Sequence, residues 1–143
     1  MSKPTPTKLV FPSKLSEVPA AQHTIVDAAK AAGFGEKALF AIRLALDEAL
    51  TNAVRHGNAS DPSKHVTVEF TPHPHQMEIT IEDEGPGFVP EDVPDPTAEE
   101  NLGRPHGRGV MLMRAYMTDV QFNDRGNRVT LIKKADCALP QNG

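Results

Sequence analysis

Apolar and polar residues recur along this chain with two different periods, and the switches between them mark out its elements. In "KLVFPS" (8–13) a short apolar run ends at Pro12 and reads as a strand. From Ser16, a candidate N-cap with Pro19 in the first turn, Ile25, Val26, Ala29 and Ala32 recur at helical spacing until Gly33 ends the pattern. A second helix begins after Gly35: Leu39, Ile42, Leu46, Ala49 and Ala53 form one stripe, and Gly57 is placed as its stop. Two alternating runs follow, "HVTVEFT" (65–71) and "QMEITIED" (76–83), joined by "PHPH". Val66, Val68 and Phe70 share one face, as do Met77, Ile79 and Ile81, so the pair predicts a hairpin. Residues 84–107 lose all periodicity and hold five prolines and four glycines, with one short helical stretch around "DPTAEENL". "RGVMLMRAYMTD" (108–119) is helical again, and "VQFND", "RGN" and "RVTLIKK" predict a second hairpin.

The order is strand, two helices, two strands, long aperiodic segment, helix, two strands. It implies an α+β class: a two-layer sandwich with helices on one face of a mixed, mostly antiparallel sheet. A length of 143 residues suits one domain with its own core, assigned to residues 9–134, with tails at 1–8 and 135–143. A long irregular insertion inside such a domain is usually functional or disordered. The single cysteine, Cys137, excludes an intramolecular disulfide and fits a reducing compartment. The first residues do not resemble a signal peptide, and no apolar stretch is long enough to span a bilayer, so a cytoplasmic protein without a membrane partner is expected. A formal charge of −4 gives no general attraction to nucleic acid, which is not expected as a direct partner.

Against this background the second helix is unusually polar. In "LALDEALTNAVRHGN" (44–58), Asp47, Glu48, Asn52, Arg55 and His56 stand among alanines and leucines. Glu48 and Asn52 are four apart and project from one side of a helix. A carboxylate there can take a proton from an attacking hydroxyl, and an amide oxygen can ligate Mg²⁺, which prefers oxygen donors. Such a pair is also common on solvated helix faces, so its weight depends on what accompanies it. In "EDEGPGF" (82–88), Asp83 ends a strand on the core-facing side, where a buried carboxylate needs a partner such as the exocyclic amine of adenine. Guanine presents a carbonyl at that position and would be rejected. Gly85 and Gly87 leave room for a base to approach the backbone, although a Gly-Pro turn leaving a strand has the same composition. In "GRPHGRGVMLM" (103–113), Gly103, Gly107 and Gly109 lead into a helix whose free N–H groups favour phosphate, and Arg104, His106 and Arg108 add charge there. No Gly-Lys-Ser/Thr follows, so this is not a Walker loop.

Taken together, "DEALTNAVRHGN", "EDEGPGF" and "GRGVMLMRAYMTDV" resemble the N box and two glycine boxes of the GHKL superfamily, shared by gyrase, a heat-shock chaperone, MutL and the histidine kinases. The wording of the first and third boxes and the compact length are most similar to the anti-sigma-factor serine/threonine kinases. The resemblance spans residues 9–134 in three boxes at matching separations. It implies a Bergerat-type ATP-binding fold with ATP and Mg²⁺ as cofactors. Glu48 would be the general base, Asn52 the Mg²⁺ ligand and Asp83 the adenine partner. Gly85 and Gly87 would serve the base pocket, Gly107 and Gly109 the phosphate loop flanked by Arg104 and Arg108, and residues 88–106 the ATP lid. Where some members open the last strand with a Gly-Thr pair, "RGNRVTLIKK" offers Asn127 and Arg128, and Thr130 is the candidate substitute. An anti-anti-sigma-like protein is implied as phosphoacceptor, with a sigma factor as a second partner and a homodimer both compatible with the likeness.

Rival readings are a noncatalytic ATP-binding module, a stand-alone histidine-kinase-like catalytic domain acting in trans, and an interaction module that has lost the nucleotide. His73 and His75 have no third ligand nearby in sequence and read as a solvated turn. His56 suits a helix C-terminus, Met111, Met113 and Met117 suit the core, and Cys137 is read as incidental.

Overall fold

The computed structural model describes residues 6–73, 75–85, 112–124 and 126–135. Strand β1 (Thr7–Pro12) is followed by a 3₁₀ turn (Leu15–Glu17), helix α1 (Val18–Ala31) and helix α2 (Glu36–Asn52). Then come β2 (His65–Pro72), β3 (Gln76–Glu82), helical residues 112–116, β4 (Asp119–Phe122) and β5 (Arg128–Lys134).

The five strands form one sheet in the order β1-β2-β3-β5-β4. All four pairings are antiparallel, where the sequence reading allowed a mixed sheet. β4 lies at the edge of the sheet, and β5, antiparallel to both, pairs between it and β3. Alternation then sorts the side chains. Val68 pairs with Ile81 and Phe70 with Ile79, and these continue into Val129 and Leu131 on β5. All six are buried and make the inner face of the sheet.

Helix α1 closes as its sequence predicts. Gly33 adopts a φ of 102°, its N–H donates to the Lys30 carbonyl at 3.0 Å, and the Phe34 N–H donates to Ala29 at 3.1 Å. This pair of bonds is a Schellman closure, and it tucks Phe34 into the core. The start of α1 differs from expectation. Ser16 lies inside the 3₁₀ turn, Glu17 stands at the N-cap position without a side-chain cap bond, and Pro19 falls in the first turn. The early turn takes up the chain reversal from β1, which displaces the helix start by about one residue.

Helix α2 buries Ala38, Ala41, Ile42, Ala45, Leu46, Ala49 and Leu50 against the sheet and α1. Large side chains occupy its middle, whereas the buried residues near its C-terminal end include the small Ala49 and Ala53. The tapering matters for the site described below. Met113 and Met117 are buried and complete the core, as the methionine spacing predicts. Among the described residues, no helix is long and apolar enough to cross a membrane.

Replacing Leu46, which is 0% exposed at the centre of this packing, tests the assignment of the core. Leu46→Ala is expected to lower unfolding free energy by about 2–5 kcal/mol, measured by urea titration with an unchanged m-value.

Candidate functional site

Beyond Asn52 the helix does not stop. It widens into a π-helical turn, Ala53–Gly57, with the Asn58 N–H donating five residues back to the Ala53 carbonyl at 2.9 Å. The sequence places Gly57 as the stop of this helix. Instead, the left-handed residues are Ala59 (φ 52°) and Ser60 (φ 56°), and Gly57 meets a different constraint. A Cβ on Gly57 would fall on the Asp83 carboxylate, and a Cβ on Gly85 would fall on the Gly57 carbonyl. The end of the helix and the end of β3 are therefore in backbone contact, which only glycine permits at both positions.

This contact is held by polar residues on either side. Asn58, fully buried, donates from Nδ2 to Ser13 Oγ (2.7 Å) and to the His65 carbonyl (3.0 Å), and its Oδ1 accepts the Glu84 N–H (2.7 Å). It ties together the chain after β1, the start of β2 and the loop after β3. Asp83 is fixed from the other side. Its N–H donates to the Asn127 carbonyl (2.9 Å), its carbonyl accepts Asn127 Nδ2 (3.0 Å), and its Oδ1 accepts the Gly85 N–H (2.8 Å).

Between the two layers lies a cavity of about 220 Å³. Ala49, Ala53, Ile81, Met113 and Val129 give it an apolar interior, while Asn52, Asp83 and Asn127 supply polar groups at its wall. His56, Gly57, Phe122, Gly126 and Arg128 complete the lining. An apolar slot with few directed polar groups suits a flat heteroaromatic ligand.

Comparison with known proteins gives the same answer from the sequence. The histidine kinase-like ATPase domain family matches residues 11–133. The chain belongs to this family. It is similar to a serine-protein kinase RsbW of Listeria monocytogenes, 27% identical over 135 residues that span 87% of this chain and 84% of the relative. An RsbW of Oceanobacillus iheyensis is also 27% identical, over 133 residues spanning 89% and 84%. An anti-sigma F factor of Clostridium perfringens is 33% identical over 99 residues, 65% of this chain and 70% of that protein. In fold, the chain is similar to the crystal structure of the RsbU and RsbW domains of a Mycobacterium tuberculosis protein, with a TM-score of 0.59 at 14% identity. That likeness covers 92% of this chain and about a third (32%) of the other.

As a histidine kinase-like ATPase domain the chain uses ATP, and the cavity is consistent with that. Asn52 and Asp83, predicted as site residues, line one cavity from opposite layers, and Gly85 adjoins it through Gly57 and Asp83. Glu48 lies one helical turn before Asn52 and is half-buried. Burial raises its carboxyl above the ordinary glutamate value, and the neighbouring Asp47 adds to the rise. Thr130 does not take the place of a Gly-Thr pair in the cavity wall. It alternates with buried Val129 and Leu131, so it points to the other face of the sheet, where its Oγ1 is 3.4 Å from that of Thr80. The residues at that edge of the cavity are Asn127, Arg128 and Val129. Gly87, Arg104, Gly107, Arg108 and Gly109, with the lid at 88–106, lie outside the described residues.

The sequence reading gave no part to Asn58 or Phe122 and treated Met113 only as core. A signal for Asn58 exists in the "HGNAS" run (56–60), where a buried asparagine after a glycine is a natural loop-closing residue. For Phe122, alternation within "VQF" (120–122) is too short to distinguish core from cavity.

Two variants test this geometry. Gly85→Ala is expected to cost about 1–3 kcal/mol of stability through overpacking and to weaken ATP binding by calorimetry. Glu48→Gln removes a half-buried charge whose folded-state pKa is raised. A raised carboxyl pKa means that folding favours the protonated form, so the penalty is absent below the unfolded pKa and grows as pH rises through the folded one. Glu48→Gln is therefore expected to melt higher than the parent at pH 7, with the difference shrinking toward pH 4 in thermal scans.

Proposed function

We propose that this protein is an ATP-dependent serine/threonine protein kinase of the anti-sigma, partner-switching type. The observation that carries the reading is the pairing of Asp83, on the wall of an apolar cavity, with Asn52 on the facing helix and Glu48 one turn away. The matches to two serine-protein kinases and an anti-sigma F factor support the same reading.

The donor set fits the ligands it has to hold. Asp83 accepts the exocyclic amine of adenine, and the apolar slot of Ala49, Ala53, Ile81, Met113 and Val129 receives the ring. The Asn52 amide oxygen is the ligand for Mg²⁺. When bound, Mg²⁺ would neutralise charge on the phosphates while the γ-phosphoryl group passes to the hydroxyl oxygen and ADP leaves. Glu48 accepts the proton of the attacking serine or threonine hydroxyl. Its raised pKa suits it to that role, because a base works best with a pKa near the working pH. In the same reading Gly107 and Gly109, with Arg104 and Arg108 beside them in sequence, would serve the phosphates, and Gly87 the base pocket. The phosphoacceptor is an anti-anti-sigma-like protein, and a sigma factor is the second partner. The cytoplasm is the proposed compartment and a homodimer the proposed assembly.

Incubation with labelled ATP, Mg²⁺ and candidate partners encoded nearby, followed by phosphosite mapping, tests the proposal. A phosphoserine or phosphothreonine on one partner is expected. Glu48→Gln should slow its formation by roughly 10²–10⁴ while leaving ATP affinity unchanged, and the parent's rate should fall on the acid side at a pH above the ordinary glutamate value. Nucleotide-dependent partner binding without any transfer of label would replace the kinase by a noncatalytic ATP-dependent binding module.

A further inference from the structure

The β4–β5 hairpin holds two asparagines whose amides are oriented in series. Asn123 Oδ1 accepts three successive backbone N–H groups, from Gly126 (2.8 Å), Asn127 (3.1 Å) and Arg128 (3.2 Å). That arrangement aims Asn123 Nδ2 away from the turn, and it donates to Asn127 Oδ1 at 2.9 Å. With its oxygen so engaged, Asn127 presents Nδ2 to the Asp83 carbonyl at 3.0 Å, while its own carbonyl accepts the Asp83 N–H at 2.9 Å. Asn127 is 7% exposed and lines the cavity beside Asp83. Gly126, at φ 78°, supplies the left-handed residue that lets the turn close around Asn123.

Asp83 lies just beyond the last residue of β3, where the ladder no longer sets its backbone. The carboxylate can read a base only if that backbone is fixed in both position and rotation. Two hydrogen bonds to one residue provide this, and a buried amide whose oxygen and nitrogen are both engaged cannot rotate without losing them.

We propose that Asn127, braced by Asn123, is a positioning residue that sets the adenine selectivity of the site by holding Asp83 in register. The inference rests on the reading of Asp83 as the partner of the adenine amine. The ligand class concerned is the purine nucleoside triphosphate, and what the two asparagines govern is discrimination at the 6-position of its base.

Binding of ATP and of purine riboside triphosphate, which lacks the 6-amino group, measured by calorimetry on the full chain, separates positioning from general loosening. The ratio of their dissociation constants reads the contact at the 6-position alone. In Asn127→Ala this ratio is expected to fall by about five- to tenfold, whatever the change in affinity that the two ligands share. Asn123 does not itself line the cavity; Asn123→Ala breaks the brace and should shift the ratio in the same direction by a smaller factor, so it decides the matter should Asn127→Ala not fold. An unchanged ratio in the folded variants, or equal weakening of both ligands, overturns the proposal. Asp83→Ala, which removes the acceptor, is measured beside them. Loss of selectivity there but not in the asparagine variants sinks this inference alone, whereas retained selectivity in Asp83→Ala sinks the adenine reading and this inference with it.

Discussion

The structure depends on one close approach, that of the backbone after α2 to the backbone after β3. Gly57 has the Asp83 carboxylate where a side chain would begin, and Gly85 has the Gly57 carbonyl in the same position. Two layers of a sandwich normally meet through side chains, about 10 Å apart. Here they meet directly at one end, and the polar groups exposed by that contact are taken up by Asn58 on one side and Asn127 on the other. The π turn is part of the same device. By widening the last turn of the helix it carries Gly57 to β3 without breaking the hydrogen-bond series, a use typical of π turns at functional sites.

The cavity follows from how side-chain volume is distributed along α2. In its middle the buried residues include the large Ile42 and Leu46, which share one core with Phe70 and Ile79. Toward its end the small Ala49 and Ala53 line the cavity from the helix, opposite Ile81 and Val129 of the sheet. An apolar slot thus opens where the two backbones converge, and the residues that converge there are the polar Asn52 and Asp83. Packing and binding are in this way properties of one helix, separated along its length.

Much of this was legible in the residues because it depends on local periodicity. Alternation in β2 and β3 placed Val66, Val68, Phe70, Met77, Ile79 and Ile81 on the core face, and the helical stripes placed Ile25, Ile42 and Leu46 there too. Helix and strand phase likewise anticipate that Asn52 and Asp83 face each other across one cavity. What escaped depends on contacts between distant segments. Gly57 reads as a helix stop until Asp83 is seen to lie against it, and Ser16 reads as a cap until the 3₁₀ turn displaces the helix. Thr130 was matched to a family position by residue type, although strand phase alone, with Val129 and Leu131 facing inward, turns it away from the cavity. The antiparallel β3–β5 pairing likewise joins strands far apart in the chain, which alternation within either strand does not foretell.

Glu48 shows how closely stability and chemistry are bound in such a site. Its carboxyl is raised chiefly because the helix is partly buried against the rest of the domain, and secondarily because Asp47 is its neighbour. The burial belongs to the packing that holds α2 in place, so it cannot be relieved without moving Asn52 and the cavity with it. The same desolvation that disfavours the ionised side chain in the folded state also strengthens it as a proton acceptor. A glutamate fully exposed on this helix would feel little of this desolvation, and one fully buried would feel more. A half-buried position between α2's core stripe and solvent lies between these limits, and the helical phase that puts Ala45 and Ala49 inside holds Glu48 there.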